Sequence, residues 1–318
     1  MQFLFSKVKN ILTSTIFLAI VAALLWSTAF AGIKIGLQYQ SPLQFGSLRF
    51  ILAGLMVMIA FGNHKKYLVE VKREWRFILL IGIIQVVVQY GIFYTAMDLV
   101  PGAVGAMIVG SSPLFVALIA HFTHPDDKLT YARSMSFLAG VAGIAVITVG
   151  RRGIELKSSL EWLGILLLIL NNLASGYSNV LVSRNPRPLS PYVLTSASML
   201  GGGILLYLIS LPFEGFQAGP FPVAWSAALF WLAFVSAAAF SIWYSLLKRP
   251  GVKVSELNVW KFLIPVSGAG LSWLLVKGEH PDWMTVTGMV VIAGSLLLMN
   301  LGAGKKTAIP PESSAPLS

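Results

Sequence analysis

Ten runs of about twenty apolar residues, nearly free of charge, recur along this chain, and nothing else constrains its fold so strongly. Lipid offers no partners to backbone N–H and C=O groups, so a segment inside it must be a helix or part of a closed barrel. The runs are continuous and lack the short alternating pattern of a membrane barrel, so they read as helices. They cover residues 11–33, 43–61, 77–97, 102–122 and 134–149, then 162–182, 192–211, 225–247, 254–276 and 284–301. Only 11% of the 318 residues are charged and 56% are hydrophobic, whereas a water-facing surface brings the charged share to about 25%. An ordinary soluble enzyme, a disordered chain and a disulfide-stapled secreted domain are thereby excluded. The absence of cysteine removes iron–sulfur, thiolate-zinc and thiol-nucleophile chemistry.

Breakers mark the joints: Ser41-Pro42, Pro101-Gly102, Asn185-Pro186, the Pro/Gly-rich stretch 212–222, and Pro250-Gly251. The net charge of +11 reads as topology signals beside helix ends, with no nucleic-acid partner. An amino terminus placed in the cytoplasm puts 16 Lys and Arg on inner segments against 4 on outer ones, namely Arg151, Arg152, Lys157 and Lys277. Both termini are therefore expected inside the cell, in an inner (plasma) membrane. The basic outer loop 151–157 runs against that rule. A rival reading treats Lys7, Lys9, the first apolar run and Ala29-Phe30-Ala31 as a cleavable signal sequence; the internal repeat requires the same segment as a span.

That repeat has a spacing near 150 residues. Ser41-Pro42 recurs as Ser190-Pro191, Gly54 as Gly203, and Trp75 as Trp225. Phe93-Tyr94 recurs as Trp243-Tyr244, Pro101-Gly102 as Pro250-Gly251, and Pro113 as Pro265. Five spans per half is an odd number, so the second half must enter the bilayer upside down. The expected fold is an all-α membrane protein of ten transmembrane helices in two inverted five-helix repeats, residues 1–150 and 151–303, with a disordered cytoplasmic tail over 304–318. Inverted repeats are the architecture of many carriers that open a midplane site to each side in turn.

Leu25-Trp26-Ser27-Thr28-Ala29-Phe30 in span one, Leu48-Arg49-Phe50 in span two and Tyr94-Thr95-Ala96-Met97 at the end of span three form a set. Ser112-Pro113-Leu114-Phe115 in span four, Pro265 in span nine and Gly278-Glu279 at its end complete it. With these residues the chain resembles the EamA-like branch of the drug/metabolite transporter superfamily over most of its length. The resemblance implies a metabolite carrier, often an exporter, with a central cavity lined by spans one, three, four, six, eight and nine. No cofactor is expected. After span four the pattern departs: His121-Phe122-Thr123-His124 stands where the family has a Gly-Glu pair, although Asp127 follows Pro113 at the distance at which Glu279 follows Pro265.

Polar residues in mid-span are either interhelical glue or the wall of a wet path. Gln85 and Gln89 share one face of span three, beside Tyr90 and Tyr94. Asn171, Ser175 and Asn179 recur every four residues in span six, with Asn172 adjacent, and span eight carries Ser236, Ser241, Trp243 and Tyr244. Carboxamides both donate and accept, which suits zwitterionic or polyhydroxylated solutes. Trp26 joins the candidates through the motif of span one. Lys261, four residues before Pro265, is a buried ammonium beside a loosened helix and a candidate anion or carboxylate site; snorkelling to the cytoplasmic surface is the alternative. Pro113 and Pro265 are the candidate helix breaks and moving elements. Arg49, about 10 Å into span two, reads as a structural charge seeking Asp98 or backbone carbonyls, and Lys34 as a residue snorkelling from the end of span one.

Proton coupling would need a titratable group on the path. Glu256, which is off the face of Lys261, and Asp98 are the carboxylates near span ends, so proton exchange and facilitated diffusion both stay open. No phosphate-cradling Gly-rich loop followed by Lys-Ser/Thr is present, and His121 with His124 lacks the further ligands of a metal site. The expected partners are a small-molecule solute and the lipid bilayer; amino acids, nucleosides, sugars and cationic drugs all occur in the superfamily. An intramembrane enzyme would need clustered acid, base or metal groups, and a non-transporting scaffold or sensor predicts a closed apolar centre. The sequence leaves the oligomeric state open.

Overall fold

The computed structural model describes residues 14–123, 130–150 and 160–301. Every regular element among them is helical. In chain order they are α1 (Thr15–Ser27), α2 (Ala29–Gly36), α3 (Pro42–Phe61) and α4 (His64–Ile81), a π-helical segment (Gly82–Tyr90), then α5 (Gly91–Leu99), α6 (Gly102–Gly110) and α7 (Ser112–Thr123). There follow α8 (Tyr131–Gly150), α9 (Leu160–Arg184), α10 (Pro191–Glu214), α11 (Val223–Leu247) and α12 (Val254–Val259), a 3-10 turn (Trp260–Phe262), then α13 (Leu263–Leu275) and α14 (Trp283–Leu301).

The chain is thus an all-helical, multi-pass membrane protein. Seven helices among the described residues are long and apolar enough to cross a bilayer: Thr15–Gly36, Pro42–Phe61, His64–Leu99, Gly102–Thr123, Leu160–Arg184, Pro191–Glu214 and Val223–Leu247. The expected spans 134–149, 254–276 and 284–301 coincide with α8, with α12 to α13, and with α14. Their apolar stretches are shorter, and the middle one is interrupted by the 3-10 turn, so it offers no single long helix. The tail 304–318, the basic loop 151–157 and Asp127 lie outside the described residues, as does the side chain of Glu256.

Two boundaries differ from the sequence reading. The charged stretch after span two is a helix where a loop was expected: α4 begins at His64, and Asn63 caps it by accepting from the Lys66 N–H at 3.0 Å. Its Lys and Arg side chains face outward while Tyr67 and Glu70 are buried, as on an amphipathic interfacial helix. Non-helical dihedrals at Glu74 then turn the chain into the apolar span. At the other boundary α10 runs through Pro212 to Glu214 and stops at Gly215, whose φ of +69° is open to glycine at no steric cost. The extension lets the Glu214 carboxylate accept from the Leu43 and Gln44 N–H groups, both at 2.9 Å, at the start of α3, where no helical carbonyl precedes them.

Packing pairs exchange when the two halves are swapped. α3 packs on α10, α6 on α13 and α8 on α14; α5 meets α9 as α11 meets α1, and α9 meets α7 as α1 meets α13. The α3–α10 crossing is close because Gly54 and Gly203 face the partner's backbone. A Cβ on Gly54 would lie 2.7 Å from the Leu200 nitrogen, and one on Gly203 would lie 2.9 Å from the Ile51 nitrogen.

Candidate functional site

The centre of the bundle holds a cavity of about 70 Å³, enough for a few waters or a small solute group. Its wall takes side chains from α1 and α2, α3, the π-helical segment and α5, α6 and α7, α9, α11, and the 3-10 turn with α13. A larger groove of about 530 Å³, between α3, α10 and α11, is lined by apolar residues such as Met56, Phe61 and Phe234 and carries no charge. Chemistry, not size, makes the central cavity the candidate site.

Of the residues singled out from sequence, Trp26, Gln85, Gln89, Asn171, Ser175, Asn179, Trp243, Tyr244 and Lys261 all line this cavity. The two glutamines come from a π-helical segment, a geometry that the α-helical spacing did not foresee, and both are buried. Tyr94 does not reach the cavity; it is fully buried behind it, where its hydroxyl accepts from Arg49 Nη1 at 3.1 Å. Arg49 Nε donates to Ser236 Oγ at 2.7 Å, and the guanidinium lies 5.2 Å from the Phe50 ring and 5.8 Å from the Tyr90 ring. Neither expected partner of Arg49, Asp98 or a backbone carbonyl, is the one observed: Asp98 is exposed, and Arg49 is held by hydroxyls and aromatic faces. Lys34 is likewise pinned, donating to the Met97 and Val100 carbonyls at 2.9 and 3.1 Å at the end of α5.

Lys261 is 6% exposed and sits in the 3-10 turn. Its Nζ lies 4.7 Å from the Trp243 ring centre and 5.3 Å from that of Trp26, within cation–π range of both. The indoles pack edge to face at 5.2 Å, and Trp243 Nε1 donates to Asn179 Oδ1 at 2.7 Å, which fixes one ring. Trp26 Nε1 and Asn171 Oδ1 are buried without a hydrogen-bond partner among the described residues. Ser178, which neighbours the Tyr244 hydroxyl, gives its hydrogen to Gln85 Oε1 at 3.2 Å. Buried polar atoms are nearly always paired, so unpaired ones around a cavity mark where something else bonds.

The helix breaks stand beside the cavity. α6 ends and α7 begins around Ser111, one residue before Ser112-Pro113, where proline withholds a ladder N–H. Asn172 Nδ2 and Ser111 Oγ both donate to the Ile108 carbonyl, at 2.6 Å each, so a neighbouring helix satisfies the broken one. Gly110 abuts the Pro265 ring so closely that a Cβ there would overlap it; the two interrupted helices meet at their interruptions.

The sequence reading missed Phe30, Phe93, Ser178 and Phe240 in the wall. Ser178 follows Asn171 by seven residues and so continues the stripe of 171 and 175, a signal that the four-residue spacing alone passed over. Phe240 precedes Trp243 and Tyr244 by three and four residues, again on one helical face. Arg49 also borders the cavity although span two was not expected to contribute.

A model of the EamA-like transporter family matches the chain twice, over residues 13–149 and 162–301. Relatives include an uncharacterized transporter, YoaV, of Bacillus subtilis, 23% identical over 88% of this chain and 92% of that protein. A chloroplastic WAT1-related protein of Arabidopsis thaliana is 26% identical over 88% of this chain and 67% of that protein. An uncharacterized inner membrane transporter, YedA, of Escherichia coli is 24% identical over 88% of each chain. A solved crystal structure superposes with a TM-score of 0.70 at 23% identity, covering 92% of this chain and 99% of that one, which identifies a shared fold.

Proposed function

The chain belongs to the EamA-like transporter family, and on that premise we propose that it carries a small organic metabolite outward across the inner membrane by alternating access. The carrier is built from ten helices in two inverted repeats, with both termini in the cytoplasm. Packing pairs that survive exchange of the halves support the repeat, and the inner-membrane relative in Escherichia coli supports the location. One observation carries the reading: a central cavity of polar and aromatic side chains lined from both halves, beside two helices interrupted at facing points. A scaffold would fill that centre with apolar residues.

Alternating access needs an element with two arrangements. The breaks before Pro113 and at 260–262 supply it, because half-helices that share no continuous hydrogen-bond ladder can tilt separately. The native chain has no cysteine, so Ser112→Cys and Ser175→Cys, both in the cavity wall, give single-site reporters without prior mutagenesis. In oriented membrane vesicles each thiol should react with a membrane-impermeant reagent added to either side, and an accumulated solute should shift the balance between sides. Reaction from one side only would remove the alternating mechanism. Comparison of the medium from cells lacking or overproducing the protein should reveal the exported compound; unchanged medium would remove the export assignment.

A further inference from the structure

The cavity wall has an unbalanced charge. It contains two cations, Arg49 and Lys261, and no carboxylate among the described residues. Arg49 is committed: Ser236 and Tyr94 take its donors, and aromatic rings cover its plane. Lys261 has no hydrogen bond or ion pair among the described residues, only the faces of Trp26 and Trp243. Indole faces attract an ammonium but cannot neutralise it, and a buried charge without a counter-charge is costly.

Taking the carrier reading of this cavity as its basis, we infer that the transported solute is a small organic monoanion without an ammonium group, held by its carboxylate at Lys261. A monoanion converts the free buried cation into a pair. A zwitterionic amino acid does so only by adding an ammonium that finds no carboxylate among the described residues of the wall, and an amine adds a like charge outright. The unpaired atoms extend the description. Trp26 Nε1–H, beside Lys261, is a spare donor for the second carboxylate oxygen, and Asn171 Oδ1 is a spare acceptor that asks for a hydroxyl or amide hydrogen on the solute. A hydroxy acid or an N-acylated acid satisfies all three.

Binding to the purified full-length protein by titration calorimetry tests this with three matched series. These are lactate, 2-hydroxyisovalerate and 3-phenyllactate; alanine, valine and phenylalanine; and alaninol, valinol and phenylalaninol. At least one acid should bind about ten-fold or more tighter than the amino acid of its skeleton, with the amino alcohol weakest. Lys261→Met should abolish that ordering and Lys261→Arg, which keeps the cation, should retain it. The inference is overturned if an amino acid or amino alcohol matches its acid, if acid binding survives in Lys261→Met, or if no acid binds at tens of millimolar, on the order of the weakest useful affinities. Thiol labelling at Ser175→Cys in oriented membrane vesicles separates the two readings. Alternation without a preference for acids removes the monoanion and leaves the carrier; loss of alternation removes the carrier itself.

Discussion

Three consecutive glycines in α10 offer a test in which the same substitution meets three different surroundings. A Cβ on Gly201 would have nothing within 4 Å. On Gly202 it would lie 2.7 Å from the Gly82 carbonyl oxygen, and on Gly203 it would lie 2.9 Å from the Ile51 nitrogen and 3.1 Å from the Ser47 oxygen. In the last two the obstacle is backbone, which cannot turn aside as a side chain can, so the helices must separate. Replacing glycine by alanine in a helix interior contributes up to about 1 kcal/mol through propensity wherever it occurs. That gain is common to all three variants and cancels in their differences. What remains between Gly201→Ala and Gly203→Ala is the overpacking cost, about 1–3 kcal/mol, or roughly a 5- to 150-fold difference in the unfolding equilibrium. Reversible unfolding in mixed micelles measures it. Gly201→Ala should match or exceed the parent, while Gly202→Ala and Gly203→Ala should fall below it. Gly54→Ala, on the opposite side of the α3–α10 crossing, should fall with Gly203→Ala. Equal stability of Gly201→Ala and Gly203→Ala would mean that α3 and α10 do not meet at this distance, and the packing described above would be wrong.

Other expectations follow from single contacts. Glu279 accepts from the Gly102 and Ala103 N–H groups at 2.6 and 3.1 Å and from Ser272 at 2.8 Å, joining the end of α13 to the start of α6; Glu279→Gln should cost about 1–3 kcal/mol in thermal unfolding, and no loss would show that the junction is not a stabilising cap. Asn172→Leu removes the interhelical donor to the Ile108 carbonyl at the break before Pro113 while Ser111 still donates to it; stability should fall by about 0.5–1.5 kcal/mol, and a neutral result would remove Asn172 from the support of that break. Arg49→Lys keeps the charge but loses the planar fork that reaches Ser236 and Tyr94 together; it should unfold more easily by about 1–3 kcal/mol, and wild-type stability would mean that charge alone is what the site requires. Trp243→Phe keeps a ring near Lys261 but shrinks a fully buried side chain and removes the hydrogen bond to Asn179; stability should fall by about 1–3 kcal/mol and solute affinity should weaken as well, and unchanged solute affinity would make Trp243 a packing residue.

Hydropathy is a property of each segment alone, and so is the period at which polar side chains fall on one helical face. Seven of the ten expected spans, long and apolar in the structure, could therefore be read from sequence, as could the stripes of Gln85 and Gln89 and of Asn171, Ser175 and Asn179, because a polar residue in lipid must turn inward whatever its neighbours are. The pairing of Gly54 with Gly203 was visible as a repeat, although its meaning as one close crossing was not. Partner choice was out of reach. Arg49 bonds to Ser236, 187 positions away, and a guanidinium can be satisfied by a hydroxyl pair as well as by Asp98, so composition could not choose between them. The helix at 64–76 escaped notice because its charges look like a loop until one face is seen buried against α10. Lys261 reads from sequence as a cation near a proline, but only the approach of α1 and α11 sets it between two indoles, with no acid beside it among the described residues. Burial from lipid is decided one helix at a time; the charge balance of a cavity is a sum over every helix that reaches it, and only the tertiary structure performs that sum.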